Sequence, residues 1–331
     1  MASLLEGSIF YARRGIVPLV IVIVFFWLYY NLYQEDINKY QPQCIQRPVV
    51  LSGETPVGKA HTRPSVSEAL RRSEKLYQTF ITRRDAMLER QGFGSPRFSP
   101  WAFPTVWWWY FQPAFTCPHE VQRIGTVADG GKWVCGFSLY EENREEKCIV
   151  YSLGVNDDST FEDEFLQRTS CEIYAFDASV DGMANGLANN PRVHFQKVFV
   201  GKEDKVDGSG IQWKTLKTIM KEYGHTWVDV LKIDIEGGEY DTLGAVMADY
   251  AGAPALPFSQ LQLEMHLFKH GTSREINFGE FLKFFRRLEA AGLRPFWDEP
   301  NLLPTALHKY PLWFSEYGFM NIAGKHRLIR D

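Results

Sequence analysis

From Cys117 onward, apolar runs of strand length alternate with amphipathic helical stretches. The segments KCIVYSLGV (147–155), CEIYAFDAS (171–179) and RVHFQKVFVG (192–201) are β-rich and end in polar residues. Residues 211–224, IQWKTLKTIMKEYG, read as an amphipathic helix with Gly224 as its stop. A fourth strand is predicted in WVDVLKIDIEG (227–237) and a fifth in SQLQLEMHL (259–267). FGEFLKFFRRLEAAG (278–292) is a further helix ended by Gly292, and LRPFW (293–297) and EYGFMNIA (316–323) close the domain as strands. Strand–helix alternation of this kind predicts an α/β domain with a parallel, doubly wound sheet. In such sheets ligands bind outside the carboxyl ends of the strands, so the polar residues after each strand are the candidate site.

The pattern before Cys117 is different. Residues 15–34 carry no charge, and twenty helical residues rise about 30 Å, roughly one hydrocarbon core. Arg13 and Arg14 precede the run and Glu35 and Asp36 follow it, which orients residues 1–14 as a cytosolic tail and the run as an uncleaved signal anchor. A single-pass type II protein of the endoplasmic reticulum or Golgi, with a lumenal catalytic domain, is the expectation. Residues 35–64, with four prolines, read as a stem. Residues 65–90 form an amphipathic helix behind a Ser65/Glu68 capping box, its apolar stripe (Val66, Leu70, Tyr77, Phe80, Ile81, Leu88) facing either a second copy of the chain or its own domain. The remainder, 91–331, is one domain with an aromatic-rich N-terminal extension, WAFPTVWWWYFQPAF (101–115), which serves the core or walls an acceptor site.

Composition narrows the classes. The 331 residues are 45% hydrophobic and 23% charged with a net charge of −4, ordinary for a globular protein and without the basic excess of a nucleic-acid binder. All five cysteines follow the apolar run. Cys148 opens the first strand and Cys171 the second, and adjacent parallel strands can bring such starts within bridging distance. Cys117 with Cys135 is the second expected pair, leaving Cys44 in the stem unpaired.

The strand ends carry the chemistry. They are Gly154-Val155-Asn156-Asp157-Asp158, Asp177, Gly201, Asp234-Ile235-Glu236 and Glu264-Met265-His266. An acid at the second strand's tip, Asp177, is placed to accept ribose hydroxyls. Gly237 and Gly238 let the backbone approach closely where the next helix begins, and Glu239 and Asp241 fall in its first turn, where the helix dipole favours acids. Glu264 and His266 share one side of the fifth strand and could supply a general base. In ADGGKW, Asp129, Gly130 and Gly131 offer either backbone donors to a carboxylate or a plain hairpin turn.

Taken together these residues resemble a known family. VDVLKIDIEGGEYDTL is similar to the signature of FkbM-type class I methyltransferases. ADGGKWVCG, VYSLGVNDDSTFEDEF, YAFDAS and LQLEMH resemble, in order, blocks of their membrane-anchored eukaryotic relatives, the methyltransferase-22 domain or methyltransferase-like protein 24 group, over roughly 117–323. The resemblance implies a Rossmann-like class I fold, a mostly parallel seven-stranded sheet with helices on both faces, and S-adenosylmethionine as cofactor. It places Gly154, Asn156 and Asp158 in the first cofactor loop, Asp177 at the ribose, and Asp234 beside the methionine end and the acceptor. Ser152 stands where the family's opening acid is usual, and Asp158 replaces the loop's second glycine.

The expected activity is methyl transfer, to oxygen, with Asp234, Glu236, Glu264 and His266 as catalytic candidates and no metal. Asp129, Gly130, Gly131, Gly154, Asn156, Asp158 and Asp177 are the cofactor-binding candidates. The acceptor is an unknown small molecule, glycan, lipid or peptide; the other expected partners are the membrane, through the anchor, and a second copy of the chain, through the stem helix. Alternatives are a lumenal glycosyltransferase that uses IDIE as an acidic metal motif, and a non-catalytic protein on the same fold.

Overall fold

The computed structural model describes residues 64–93, 104–127, 129–268, 275–302, 306 and 312–331. The anchor at 15–34, the stem and Cys44 lie outside these. Among the described residues no helix is long and apolar enough to cross a membrane. Residues 63–331 form one compact unit.

Its centre is a seven-stranded sheet. Strands β3 (Ile149–Leu153), β4 (Glu172–Phe176), β5 (Val193–Gln196), β9 (Val228–Ile233) and β10 (Phe258–His266) run parallel, in the spatial order β5-β4-β3-β9-β10. The order continues with β12 (Phe314–Asn321) and then β11 (Leu293–Pro300), and β12 is antiparallel to both its neighbours. Every residue of β3, β9 and β10 is buried, which is why these strands read as nearly continuous apolar runs. Between β3 and β9 the strand order reverses, which makes their carboxyl ends the topological switch point.

Helices cover both faces, among them the short α2 (Ser138–Glu142), which buries Tyr140. Helix α3 (Thr160–Arg168) packs Phe161 and Phe165 against Val150, Ile173 and Ala175. Helices α4 (Leu216–Tyr223), α5 (Glu239–Asp249) and α6 (Phe278–Ala290) bury Ile219, Leu243 and Phe281 on the other face, with Tyr151, Leu231 and Ile233. Trp107, Trp108, Tyr110 and Phe111 of the aromatic tract join that second core and serve packing, whereas Trp109 is exposed. The expected stem helix is α1 (Val66–Arg90), with Ser65 accepting the N-cap bond from the Glu68 amide. Its Tyr77 and Leu88 are buried against the chain's own domain.

Two boundaries differ from the sequence pattern. Residues 192–201 are not one strand. After β5 the chain leaves the main sheet, and β6 (Phe199–Val200) joins a small sheet with β7 (Lys205–Val206) and β8 (Gln212–Lys214). Residues 211–224 likewise do not form one helix. Thr215 caps α4 by accepting from the Thr218 amide, so the three residues before it are free to pair as β8.

Both expected disulfides are present, Cys148–Cys171 with Cα atoms 4.5 Å apart and Cys117–Cys135 at 6.0 Å. The second anchors a hairpin of β1 (Val121–Ile124) and β2 (Lys132–Cys135), with Ile124 opposite Lys132, so the Gly-Gly segment is its connecting loop. Gln260 of β10 holds the hairpin's end, accepting from the Cys135 amide at 3.0 Å and donating to its carbonyl at 3.1 Å. Lys132 is thereby set over the carboxyl end of β10 and the amino end of β12.

Candidate active site

A cavity of about 910 Å³ opens at the switch point, lined by the loops after β3, β4 and β9, by Gly130 and by the β6–β8 sheet. Among the expected residues, Asp129, Gly130, Gly154, Asn156, Asp158, Asp177, Asp234, Glu236 and Glu264 line it; Gly131 and His266 do not.

The loop after β3 is shaped by Asp177. Its Oδ2 accepts from the Val155 and Asn156 amides at 2.9 and 3.0 Å, and its Oδ1 from the Ser179 amide and hydroxyl at 2.8 and 2.6 Å. Burial opposes its charge, yet these donors hold its pKa below the usual carboxylate range. With four donors already placed, Asp177 is first a loop anchor, and ribose hydroxyls would reach it only as Ser179 turns away. Asp158 is divided as well: Oδ1 accepts from the Thr160 amide at the start of α3, while Oδ2 lies where a Cβ on Gly130 would come within 2.7 Å. Gly130 has φ +95°, and it is this backbone conformation that favours glycine, since the Asp158 carboxylate could move aside from a Cβ. Gly131 is tightly packed instead, with a Cβ position 2.1 Å from the Thr126 carbonyl.

Two buried groups account for the departure at Ser152. Ser152 donates to the carboxylate of Glu162, which reaches back from α3, and Lys232 of β9 lies 3.5 Å from the same carboxylate. Lys232 Nζ also donates to the Gly154 carbonyl at 2.7 Å. The acid absent from the strand is therefore supplied by the helix, in contact with the first loop.

At the tip of β9 the backbone turns sharply. Glu236 has φ +52° and Gly237 +89°. A non-glycine residue in this region is strained and persists only when its surroundings hold it there. Glu239 does so. Fully buried, its Oε1 accepts from the Ile235 and Gly237 amides at 3.1 and 3.2 Å and meets His266 Nδ1 at 3.0 Å. Glu239 stands in the first helical turn as expected, and its side chain folds back under the strand-tip turn. Asp241 is an exposed helix-start acid, 3.3 Å from Lys202.

Beside this turn lies a charged cluster. Lys132 Nζ contacts Glu316 Oε1 at 2.5 Å and Asp234 Oδ2 at 3.4 Å. Glu264 accepts from Asn301 Nδ2 at 2.9 Å, and one of its oxygens lies within 4.8 Å of an Asp234 oxygen. Asp129, exposed, also accepts from Asn301, at 3.4 Å. His266 Nε2 lies 3.5 Å from Glu236 Oε2 and 3.8 Å from Glu264 Oε2. Burial alone would raise the Asp234 pKa, but Lys132, Lys232 and His266 hold it well below the usual range. Burial, then the charges of Asp234 and Glu316, push Glu264 well above its ordinary value, and burial lifts Glu316 to about 7 despite Lys132. For His266 burial works against the charge, but Glu239, Glu264 and Asp234 outweigh it and push the pKa up to about 10.

His266 is thus a charged imidazolium at neutral pH, not the free base that its strand position suggested, and Asp234 is the carboxylate that stays ionised. A basic group with a raised folded-state pKa contributes stability below its unfolded value and loses it as pH rises through the folded one. In metal-free buffer the melting temperature should therefore fall between pH 6.5 and about 10. A His266→Gln variant should melt lower at pH 7 and decline less over that window. Parallel slopes in thermal melts of the two proteins would disprove the assignment.

Lys132, Glu162, Lys232, Glu239 and Glu316 were not among the expected site residues. For Lys132, Lys232 and Glu316 the signal was a charge inside an otherwise apolar element, visible in KWVC, LKIDI and SEYGF; Glu162 and Glu239 stand among other helix-start acids and carried none.

Comparison with known proteins decides the family. A family model described as a methyltransferase domain matches residues 67–311. The chain belongs to this methyltransferase-domain family. Two curated relatives, each named probable methyltransferase-like protein 24, are similar over 137 residues: the Homo sapiens protein at 27% identity and the Rattus norvegicus protein at 28%. The match covers 40% of this chain and 36% of each relative, so the chain spans about a third of their length. A solved Burkholderia thailandensis 1,6-didemethyltoxoflavin-N1-methyltransferase, with 1,6-didemethyltoxoflavin and S-adenosylhomocysteine bound, shares 15% identity over 56% of this chain and 75% of its own, with a TM-score of 0.32. That superposition is too slight to bear on this chain's chemistry.

Proposed function

We propose that this family member is an S-adenosylmethionine-dependent methyltransferase that methylates a hydroxyl oxygen, held at a membrane by residues 15–34 with its domain in an oxidising lumen. One observation carries the activity. At the switch point a glycine loop, an acid after β4 and an ionised acid after β9 border a single cavity of about 910 Å³. The residues present fit the cofactor. Phe176, Phe199, Val200 and Trp213 give the cavity an apolar side suited to an adenine, and Asp177 and Asp234 provide the acids for its polar and cationic parts. The two disulfides support the oxidising compartment.

When bound, the cofactor supplies an electrophilic methyl on a sulfonium and leaves as a neutral thioether. The chain's own part is electrostatic and positional. Asp234, ionised and facing the cavity, attracts the cationic centre and accepts a hydrogen bond from the attacking hydroxyl. As oxygen bonds to the methyl, its proton passes to a nearby carboxylate. Glu239 holds the turn that aims Asp234 and Glu236, and the β1–β2 hairpin shields the Lys132 side from water.

The deciding measurement is calorimetry with S-adenosylmethionine beside a uridine-diphosphate sugar. Wild type should bind the former. Asp177→Ala should weaken that binding more than about a hundredfold, beyond the roughly 1.5–3 kcal/mol of one charge-assisted bond, because the first loop loses its anchor too. Ser179→Ala should leave affinity within a few-fold. Binding of the sugar nucleotide alone would overturn the reading in favour of glycosyl transfer.

A further inference from the structure

We propose that Asp234, Glu264 and His266 form a binding site for one divalent cation, of the Mg²⁺ or Mn²⁺ class, at the acceptor end of the cavity. One carboxylate oxygen from each acid and a ring nitrogen of His266 lie within 4.8 Å of one another, on the ends of two adjacent parallel strands. Two oxygens and an imidazole that gives up its Nε2 proton as the ion binds are a donor set suited to such ions.

Two further observations point to a ligand there. The first is the state of His266. It is 2% exposed, and its Nδ1 is tied to Glu239, the carboxylate–histidine arrangement that orients a metal-binding imidazole. Its Nε2 faces the carboxylates of Glu236 and Glu264, at 3.5 and 3.8 Å, so an imidazole nitrogen and the Glu264 oxygen are turned towards one point. The second is Glu316. It is 7% exposed, its Oε2 has no hydrogen-bond partner, and it shares Glu264 with a neighbouring group of three acids completed by Asp129. Asp129, Asp234, Glu264 and Glu316 thus converge on a region where Lys132 is the ammonium in contact, and a buried acid oxygen without a donor is costly.

The ion's role, though not its binding, rests on the methyl-transfer reading. Coordinated beside Asp234, it would take the acceptor oxygen as a further ligand and lower that hydroxyl's pKa, so that a carboxylate can accept the proton as the oxygen–methyl bond forms. The site thereby selects acceptors that present a hydroxyl able to reach a metal.

The test is Mn²⁺ titration of the purified full-length chain, stripped with chelator and kept in detergent on account of its apolar N-terminal run, read by the loss of the free-ion paramagnetic resonance signal. One Mn²⁺ per chain is expected. Glu264→Gln and His266→Gln should each weaken it tenfold or more, while Asp181→Asn, at an exposed acid remote from the cluster, should not. Each variant is checked for fold by circular dichroism and for S-adenosylhomocysteine binding by calorimetry; if a glutamine variant fails to fold, Glu264→Asp, which should also weaken the ion, takes its place. No Mn²⁺ binding by a wild type that does bind S-adenosylhomocysteine overturns the ion site and spares the methyl-transfer reading. Mn²⁺ binding without S-adenosylhomocysteine binding does the reverse. Equal Mn²⁺ affinity in wild type and folded variants also overturns the proposal.

Discussion

Glu289→Ala should destabilise the domain by about 3–5 kcal/mol, the cost of leaving a buried guanidinium without its carboxylate. The Arg84 side chain is 1% exposed, and its Nη1 and Nη2 donate to Glu289 Oε1 and Oε2 at 2.7 and 2.9 Å. Tyr77 donates to the same Oε1 at 2.7 Å. The pair joins α1 to the end of α6; Asp85, 3.2 Å from Arg84 Nε, is 40% exposed and too weak to take over, and the neighbouring Glu74 is engaged by Arg294. Replacing both partners with apolar residues, Arg84→Met with Glu289→Leu, should recover most of the loss, because it is the unpaired charge that is expensive. Urea unfolding followed by circular dichroism checks both values. A Glu289→Ala cost below about 1 kcal/mol would mean that the helix does not dock through this pair.

The second large effect is expected at Gly154. A Cβ there would fall 1.7 Å from the Asp234 carbonyl oxygen, and the residue has φ +80°, so alanine is excluded by contact and by backbone conformation together. The obstructing atom is backbone, so the loops after β3 and β9 must separate, and they carry Asn156 and Asp234. Gly154→Ala should weaken S-adenosylmethionine binding by more than about a hundredfold, or about 2.7 kcal/mol. Gly186→Ala is the matched control: its φ of +74° is equally left-handed, but nothing lies within 4 Å of its Cβ. It should cost about 1 kcal/mol of stability and leave cofactor affinity unchanged. Calorimetry on both variants separates loop contact from backbone strain; equal affinities would show that the two loops tolerate separation.

The strands were legible for a definite reason. β3, β9 and β10 are buried on both faces, so their hydrophobic runs are set by burial, whatever surrounds them. The cysteine pairs followed from the same register, since Cys148 and Cys171 precede strands that lie side by side. The short elements were not legible. β6 and β8 pair only with each other and with β7, and a strand of two or three residues has too little pattern to stand against a neighbouring helix or strand.

Within the site the division falls in the same place. The sequence by itself determined which residues stand at the strand tips, Gly154, Asp177, Asp234, Glu264 and His266, because alternation and strand ends fix a position along the chain. It did not determine what those side chains do, because a carboxylate's role depends on the donors and charges that other segments bring to it. Asp177 anchors a loop because Ser179 and two amides converge on it. His266 is charged because Glu239, 27 positions earlier, is folded beneath the turn. Lys132 and Glu316, 184 positions apart, meet only because the β1–β2 hairpin lies across the ends of β10 and β12. Protonation state is a property of the assembled electrostatic environment, and only the tertiary structure assembles it.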